Sequence, residues 1–127
     1  MKTQRYQPNR RLDVLDIILR SPKKILDVGC GEGHFAEEVK KRFSSTTWGI
    51  EPDQQAARSA MKKMDKVFSS TWDSAEKNLP ESYFDAIFFN DILEHMVNPE
   101  QCLSEAKSKL VDFGTVYASI PNVIFVG

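Results

Sequence analysis

Features that this sequence has little of exclude several classes of protein. It contains only two cysteines, Cys30 and Cys102, which form no C-x-x-C pair, and its two histidines form no cluster with metal-ligand spacing. We therefore expect no metal site and two free thiols, as in a cytoplasmic protein. No apolar run approaches the roughly 20 residues of a membrane span. The polar N-terminus, MKTQRYQPNRR, does not have the pattern of a signal peptide.

The sequence also lacks an excess of either charge. Its formal net charge is -1 at pH 7, which gives no electrostatic basis for binding a nucleic acid or a membrane surface. Hydrophobic residues make up 41% of the 127 residues, enough to form the core of one domain. We expect a single domain over 1–127, with an N-terminal helical segment at 1–22 and a core of sheet and helices at 23–122. The basic residues of the N-terminal segment form either a solvated helix face or a patch that faces an anionic ligand.

Strand and helix patterns alternate along the chain. Helices are predicted to begin near Asn9, Phe35, Asp53 and Asn98. Strands are predicted at 24–28, 47–50, 66–69, 84–89 and 114–120. This alternation predicts an α/β fold, a doubly wound, mostly parallel Rossmann-like sheet with helices on both faces, truncated after the fifth strand. Such sheets bind ligands at the carboxyl ends of their strands.

The predicted fifth strand would form an open edge of this sheet. Its residues Val116, Ala118 and Ile120 are apolar, and 114–120 carries no charge that would oppose pairing. Only the short tail 122–127 follows it in the sequence. Because open strand edges pair with other chains, we expect a homodimer through the fifth-strand edge, by strand pairing or exchange of the tail.

A glycine-rich turn joins the first strand to the helix that follows. The segment 27–33, DVGCGEG, has the spacing G-x-G-x-G, unlike the G-x-G-x-x-G of dinucleotide sites, and it lacks the Gly-Lys-Ser or Gly-Lys-Thr ending of a phosphate loop. Glycines allow a ligand to contact the main chain, and the following helix offers free N–H groups. Alone, this segment is equally consistent with a plain turn.

Glu51 ends the predicted second strand. A carboxylate at that position can accept hydrogen bonds from both hydroxyls of a ribose. Taken alone, Glu51 could instead be an exposed residue that the dipole of the next helix stabilises. Together with the glycine-rich turn, it favours a ligand that contains a ribose.

Three segments together resemble the class I S-adenosylmethionine-dependent methyltransferases. They are ILDVGCGEG at 25–33, GIEPD at 49–53, and FDAI at 84–87 followed by DILEH at 91–95. The match is best to small-molecule members with a Leu-Glu-His segment after the fourth strand, and it runs from about Tyr6 to Asn122. The resemblance implies S-adenosylmethionine as the cofactor, S-adenosylhomocysteine as its product, and methyl transfer to an unidentified small-molecule acceptor.

The resemblance also implies a contact for each matching position. The cofactor-binding residues would be Tyr6 and Arg10 over the cofactor, Asp27, Gly29, Cys30, Gly31 and Gly33 under its methionine part, Glu51 at the ribose, Pro52, Thr71, Trp72 and Asp73 near the adenine, and the Asn90 carbonyl at the amino group. Many members have Gly-Asp where this chain has Ser70-Thr71. The carboxylate near the adenine is therefore either missing or moved to Asp73.

His95 is the one candidate for a catalytic base by residue type, because imidazole titrates near neutrality. It could instead cap and pack the turn after the fourth strand together with Glu94. The segment 90–93, NDIL, does not resemble the Asn-Pro-Pro-Tyr of enzymes that methylate the amines of bases, so we expect no nucleic-acid partner. Three functions stay open: a methyltransferase, a non-catalytic or truncated cofactor-binding domain, and a nucleotide-binding module of the dinucleotide type.

Overall fold

A computed structural model describes residues 11–121 and 123–127. The strands are Lys24–Val28 (β1), Thr46–Ile50 (β2), Lys66–Phe68 (β3), Phe84–Asn90 (β4), Leu110–Ile120 (β5) and Val123–Val126 (β6). The helices are Leu12–Asp16 (α1), His34–Phe43 (α2), Gln54–Met61 (α3), Trp72–Ala75 (α4) and Pro99–Lys107 (α5), with 3-10 turns at Glu76–Asn78 and Leu93–His95. Among these described helices, none has the length and apolar character needed to cross a membrane.

The six strands form one sheet in the order β3-β2-β1-β4-β5-β6. The first five are parallel to their neighbours, and β6 runs antiparallel to β5. This arrangement confirms the predicted α/β fold with a mostly parallel sheet. The strand order reverses between β1 and β4, and in such sheets the crevice outside the carboxyl ends at that point is where ligands bind.

Helices cover both faces of the sheet, as predicted. On one face, Ile25 of β1 packs in a core with Phe35 of α2 and Phe88 of β4. On the other face, Leu26 packs in a core with Trp72 of α4 and other buried residues. Successive residues of a strand point to opposite faces, so a continuous apolar run fits a strand that is covered on both sides.

The starts of α3 and α5 agree with the sequence prediction. The Asp53 side chain accepts a hydrogen bond from the N–H of Ala56, and the Asn98 side chain accepts one from the N–H of Gln101. Each cap satisfies a donor that has no partner within its helix. The short helix α4 was not predicted from the sequence. The Thr71 side chain caps it by accepting a hydrogen bond from the N–H of Ser74.

The first helix is shorter than expected. It begins at Leu12 and ends at Asp16, whereas the sequence predicted a helical segment that begins near Asn9 and lies within 1–22. Leu19 is 80% exposed, so it has no core contact that would hold another helical turn in place. The predicted cap, Asn9, lies outside the described residues.

The expectation of an open fifth strand is wrong. Residues Val123–Val126 fold back and pair with β5, from Ile120 opposite Val123 to Tyr117 opposite Val126. The main chains of Val116 and Gly127 exchange two hydrogen bonds of 2.8 Å. Ile124 also packs against the core on the α2 face, which gives the apolar tail a buried contact. The sheet therefore does not stop at the fifth strand, and a homodimer through an uncovered β5 edge is inconsistent with this arrangement.

Candidate functional site

The glycine-rich turn leaves open space at its centre. Gly31 has a φ of +56°, in the left-handed region that disfavours other residues, and a Cβ built on it meets no atom within 4 Å. A Cβ on Gly29 would instead come within 2.9 Å of the Ile92 side chain, so Gly29 is required by packing. The N–H groups of Gly29 and Cys30 both donate to the carbonyl of Ile50, which fixes the turn against the end of β2. A ligand can therefore approach the main chain at Gly31.

Glu51 connects this turn to the start of α3. One carboxylate oxygen, Oε1, accepts a 2.8 Å hydrogen bond from the N–H of Gly31, and the other, Oε2, accepts a 2.9 Å hydrogen bond from the N–H of Asp53. Each carboxylate oxygen has two acceptor sites. Glu51 can therefore hold the turn and still accept hydrogen bonds from a ligand.

Asp27 is a buried carboxyl at the carboxyl end of β1. The residue is only 2% exposed, and its Oδ1 has no hydrogen-bond partner within the described part of the chain. Burial, with a smaller effect of the negative charge of Glu51, raises the pKa of Asp27 to about 8. A buried polar atom without a partner is costly, so it indicates a ligand or water in the functional state.

Asn90 offers a second buried polar atom close to the same edge. It is the last residue of β4, and its Oδ1 accepts a 3.3 Å hydrogen bond from Ser119. Its Nδ2 finds no acceptor among residues 11–121 and 123–127. Asp27 pairs in register with Phe88, two residues before Asn90, so the alternation along β4 places Asp27 and Asn90 on the same face.

A cavity of about 550 Å³ lies beside these strand ends. It brings together six of the residues predicted from the sequence: Gly29, Pro52, Thr71, Trp72, Asp73 and His95. Its far wall comes from the region around α5, including Gln101 and Glu105. The indole N–H of Trp72 donates a 2.8 Å hydrogen bond to Glu105, which fixes the ring in the wall.

The residues that line this cavity do not include six other predicted site residues: Asp27, Cys30, Gly31, Gly33, Glu51 and Asn90. The Cys30 side chain is buried in the core on the α2 face, and burial raises the pKa of its thiol, so it offers the site its main chain rather than a reactive group. His95 sits in the 3-10 turn after β4 with its N–H bonded to the Ile92 carbonyl, and it lines the cavity. Tyr6 and Arg10 lie outside the described residues. Within the described ranges, no cluster of His, Cys, Asp and Glu has the arrangement of a metal site.

The sequence reasoning missed one arginine next to the site. The Arg11 side chain is fully buried, and its guanidinium donates a 2.6 Å hydrogen bond to Asp91 and two further bonds to Asp13. Asp91 directly follows Asn90, so this ion pair fixes the chain at the carboxyl end of β4. In the sequence, Arg11 is one of several neighbouring basic residues, and no local pattern distinguishes it from them.

The strand order and the glycine-rich turn define a Rossmann-like α/β domain with a candidate ligand site at the carboxyl edge of its sheet. A family model described as a methyltransferase domain matches residues 2–125. The chain belongs to this methyltransferase family, in agreement with the resemblance found in the sequence.

Two curated relatives show how far the similarity extends. The chain is 38% identical over 106 residues to a ubiquinone biosynthesis O-methyltransferase of Vibrio atlanticus, covering 79% of this chain and 44% of the relative. It is 30% identical over 130 residues to the protein of the same name from Yersinia enterocolitica, covering 92% and 53%. The chain thus spans about half the length of the curated relatives it matches.

Solved structures with the same fold include a SAM-dependent methyltransferase from Archaeoglobus fulgidus. Its TM-score is 0.71 at 24% identity, over 88% of this chain and 50% of that chain. A plantazolicin methyltransferase in complex with a triazolic desmethylPZN analog and SAH has a TM-score of 0.70 at 22% identity, over 87% and 44%. At these identities the likeness confirms the Rossmann-like fold.

Proposed function

We propose that this chain binds S-adenosylmethionine at the carboxyl edge of β1, β2 and β4 and transfers its methyl group to a small-molecule acceptor. The observation that carries the proposal is a set of unsatisfied groups around an open main-chain turn. Among the described residues, Asp27 Oδ1 and Asn90 Nδ2 are buried without a hydrogen-bond partner, and Gly31 borders open space. These features fit the ammonium group and the amino-acid chain of this cofactor.

The ribose would be held by Glu51. Its carboxylate is already fixed by the main chain of Gly31 and Asp53, so it needs little reorganisation to accept hydrogen bonds from two neighbouring hydroxyls. The buried Asp27 carboxyl, whose Oδ1 has no hydrogen-bond partner among the described residues, and the fixed carboxylate of Glu51 match a ligand with a cationic end and a sugar. NAD and ATP have a sugar but no ammonium group that would pair with Asp27.

The adenine would enter the cavity between Pro52 and α4. Asp73 lies in the first turn of α4 and lines this cavity, so it can supply the carboxylate that the family places near the adenine amino group. The Thr71 hydroxyl is used as the cap of α4. This division of roles supports a carboxylate moved to Asp73 rather than a missing one.

When bound, the cofactor supplies a methyl group on a sulfonium, which requires alignment with the acceptor more than chemical activation. His95 lines the same cavity and is proposed as the group that takes a proton from the acceptor. The curated relatives are O-methyltransferases, which supports an oxygen atom of a small molecule as the acceptor. Tyr6 and Arg10 are proposed to fold over the bound cofactor, which slower hydrogen exchange of residues 1–12 upon binding would detect.

Calorimetric titration with S-adenosylhomocysteine, ATP and NAD tests the binding site. Of these three ligands, we expect only S-adenosylhomocysteine to bind, and we expect the Glu51→Ala variant to bind it more weakly. Asp112→Asn is a matched control, because Asp112 is an exposed carboxylate of β5 away from the site. Binding of NAD or ATP in preference to S-adenosylhomocysteine would contradict the proposal. A methyl-transfer screen over hydroxylated small molecules then separates an enzyme from a domain that only binds.

A further inference from the structure

Asp27 has a carboxyl group that forms no ion pair with any of the described residues. Its neighbours in register are Gly49 of β2 and Phe88 of β4, and neither has a polar side chain. The residue is almost completely buried, and its Oδ1 accepts no hydrogen bond from any described residue. An ionised carboxylate in such a position would be strongly destabilised.

Glu51 makes ionisation of Asp27 still less favourable. It lies at the end of β2, and its negative charge adds to the rise in the pKa of Asp27 that burial causes. From the glycine-rich turn, the Cys30 thiol interacts with it, and burial holds the pKa of that thiol above its ordinary value. At the start of α2, the Nε2 atom of His34 lies 3.6 Å from Glu32. From the side of α1, the Arg11 guanidinium is bound to Asp13 and Asp91.

No lysine or arginine in the described ranges forms an ion pair with Asp27 that would lower its pKa. Because this pKa is about 8, the carboxyl is mostly protonated at neutral pH. A cation that binds beside it would change this balance, because an opposite charge nearby favours the ionised form. The cofactor assigned under the proposed function has an ammonium group that would provide this cation.

We propose that Asp27 carries a proton in the free protein and releases it to solvent when the ammonium group of the cofactor binds beside it. This inference rests on the proposed function. The ammonium keeps its own protons, so for each molecule bound one proton passes from the Asp27 carboxyl to the buffer, and an ion pair replaces a neutral acid. Asp27 is thus a specificity-determining residue, which favours a ligand with an ammonium group over the same nucleoside without one.

Proton release makes the affinity depend on pH in a defined direction. A binding step that releases a proton becomes stronger as the pH rises, by at most about tenfold per pH unit. The increase extends up to the pKa of Asp27 in the free protein, about 8, and levels off above it. Between about pH 6 and pH 8 the affinity for S-adenosylhomocysteine should therefore rise, provided that its amino group stays protonated.

Calorimetry in two buffers measures this proton directly. We would titrate the protein with S-adenosylhomocysteine at about pH 7 in phosphate and in Tris, whose ionisation enthalpies differ, and expect release of about one proton per ligand bound. With 5′-methylthioadenosine, which lacks the amino-acid part, we expect no release. The Asp27→Asn variant should bind S-adenosylhomocysteine more weakly and without proton release, whereas Asp112→Asn should match the unmodified protein.

The possible outcomes separate this inference from the proposed function. If the unmodified protein binds S-adenosylhomocysteine with the same heat in both buffers, Asp27 does not release a proton and the inference is overturned while the binding site stands. If it binds no S-adenosylhomocysteine at any pH, the proposed function itself fails. If the Asp27→Asn variant does not fold, the comparison of S-adenosylhomocysteine with 5′-methylthioadenosine still tests the inference. Equal proton release with both ligands would show that the proton comes from a group other than Asp27.

Discussion

The carboxylate of Glu51 accepts a 2.8 Å hydrogen bond from the main-chain N–H of Gly31, which joins the end of β2 to the centre of the glycine-rich turn. Its other oxygen binds the N–H of Asp53. Glu51 therefore shapes the turn before any ligand arrives. The sequence predicted only a contact between Glu51 and a ribose, so the structure adds a second reason for a carboxylate at this position.

Replacing Glu51 should consequently affect both the ligand and the turn. We expect Glu51→Ala to weaken binding of S-adenosylhomocysteine by about 1.5–3 kcal/mol, the usual value of hydrogen bonds to a charged group. Its effect on 2′-deoxy and 3′-deoxy analogues should be smaller, because each lacks one of the hydroxyls that Glu51 would bind. In the free variant, the Gly31 amide should exchange its hydrogen faster. Glu51→Gln, which keeps one oxygen acceptor, is the control and should have an intermediate effect; equal losses for all three ligands would show that Glu51 does not contact the ribose.

Gly31 should tolerate a side chain structurally but not functionally. A Cβ there meets open space, so the main cost to folding is the left-handed φ of +56°, about 1–2 kcal/mol for most residues and less for Asn. We expect Gly31→Val and Gly31→Asn to fold, as judged by circular dichroism, and to lose binding of S-adenosylhomocysteine in calorimetry. The Asn variant separates the occupied space from the backbone strain. A folded Gly31→Val variant that still binds would exclude this turn as part of the site.

The sequence predicted those elements whose signal is local. β1 and β4 consist mostly of apolar residues, and α3 and α5 begin at capping residues, so their positions follow from neighbouring residues. The strand Val123–Val126 could not be predicted in the same way. Its four apolar residues acquire a role only because β5 lies beside them, and that contact depends on the whole fold.

The candidate site shows the same limit. Gly31 lies in the turn after β1 and Glu51 lies directly after β2, as the sequence predicted, and their contacts with a ligand stay predictions. The burial of Asp27 follows from its place inside a strand. That its Oδ1 has no partner among the described residues depends on Gly49 and Phe88, which lie beside it in the neighbouring strands. Arg11 is buried only because the fold brings Asp91 next to it, and these residues are far apart in the sequence.

The buried side chain of Arg11 should matter for stability. Arg11→Gln removes the charged donor from Asp13 and Asp91, and the Asp91 side chain is only 19% exposed. Breaking a fully buried ion pair costs about 3–5 kcal/mol, so with one partly exposed partner we expect about 2–3 kcal/mol in urea unfolding. Arg20→Gln is the control in the same basic segment, since Arg20 is exposed and should change stability by less than about 0.5 kcal/mol. If Arg11→Gln lowers the free energy of unfolding by no more than Arg20→Gln does, the ion pair contributes little to stability.

Asp27 should make the free protein less stable as the pH rises. Its pKa is raised from 3.8 to about 8 on folding, so between these values the folded protein holds more protons than the unfolded chain. Stability therefore falls as the pH rises through this window. Asp27→Asn removes this dependence, and we expect the variant to unfold at a higher temperature than the unmodified protein near pH 8 and to lose that advantage as the pH falls toward about 4. Thermal unfolding without ligand measures the difference; a difference that does not vary with pH would contradict the raised pKa, and Asp112→Asn should show no pH-dependent change.

Removal of the C-terminal strand should promote association rather than prevent it. If two chains exchanged the tail along an open β5 edge, deletion of the tail would favour a monomer. Because β6 covers β5, we expect the opposite. Deleting residues 123–127 exposes the main-chain groups of β5 that now bind β6 and Gly127, and unpaired strand edges associate with other chains. We expect a lower unfolding temperature and oligomers in light scattering.

Phe125→Lys is the matched variant, since Phe125 is 57% exposed and a charge on the outer strand opposes pairing without removing the strand. A truncated protein that stays monomeric and unfolds at the unchanged temperature would show that β6 contributes no protection, whereas association of the full chain that Phe125→Lys abolishes would place the predicted homodimer at β6.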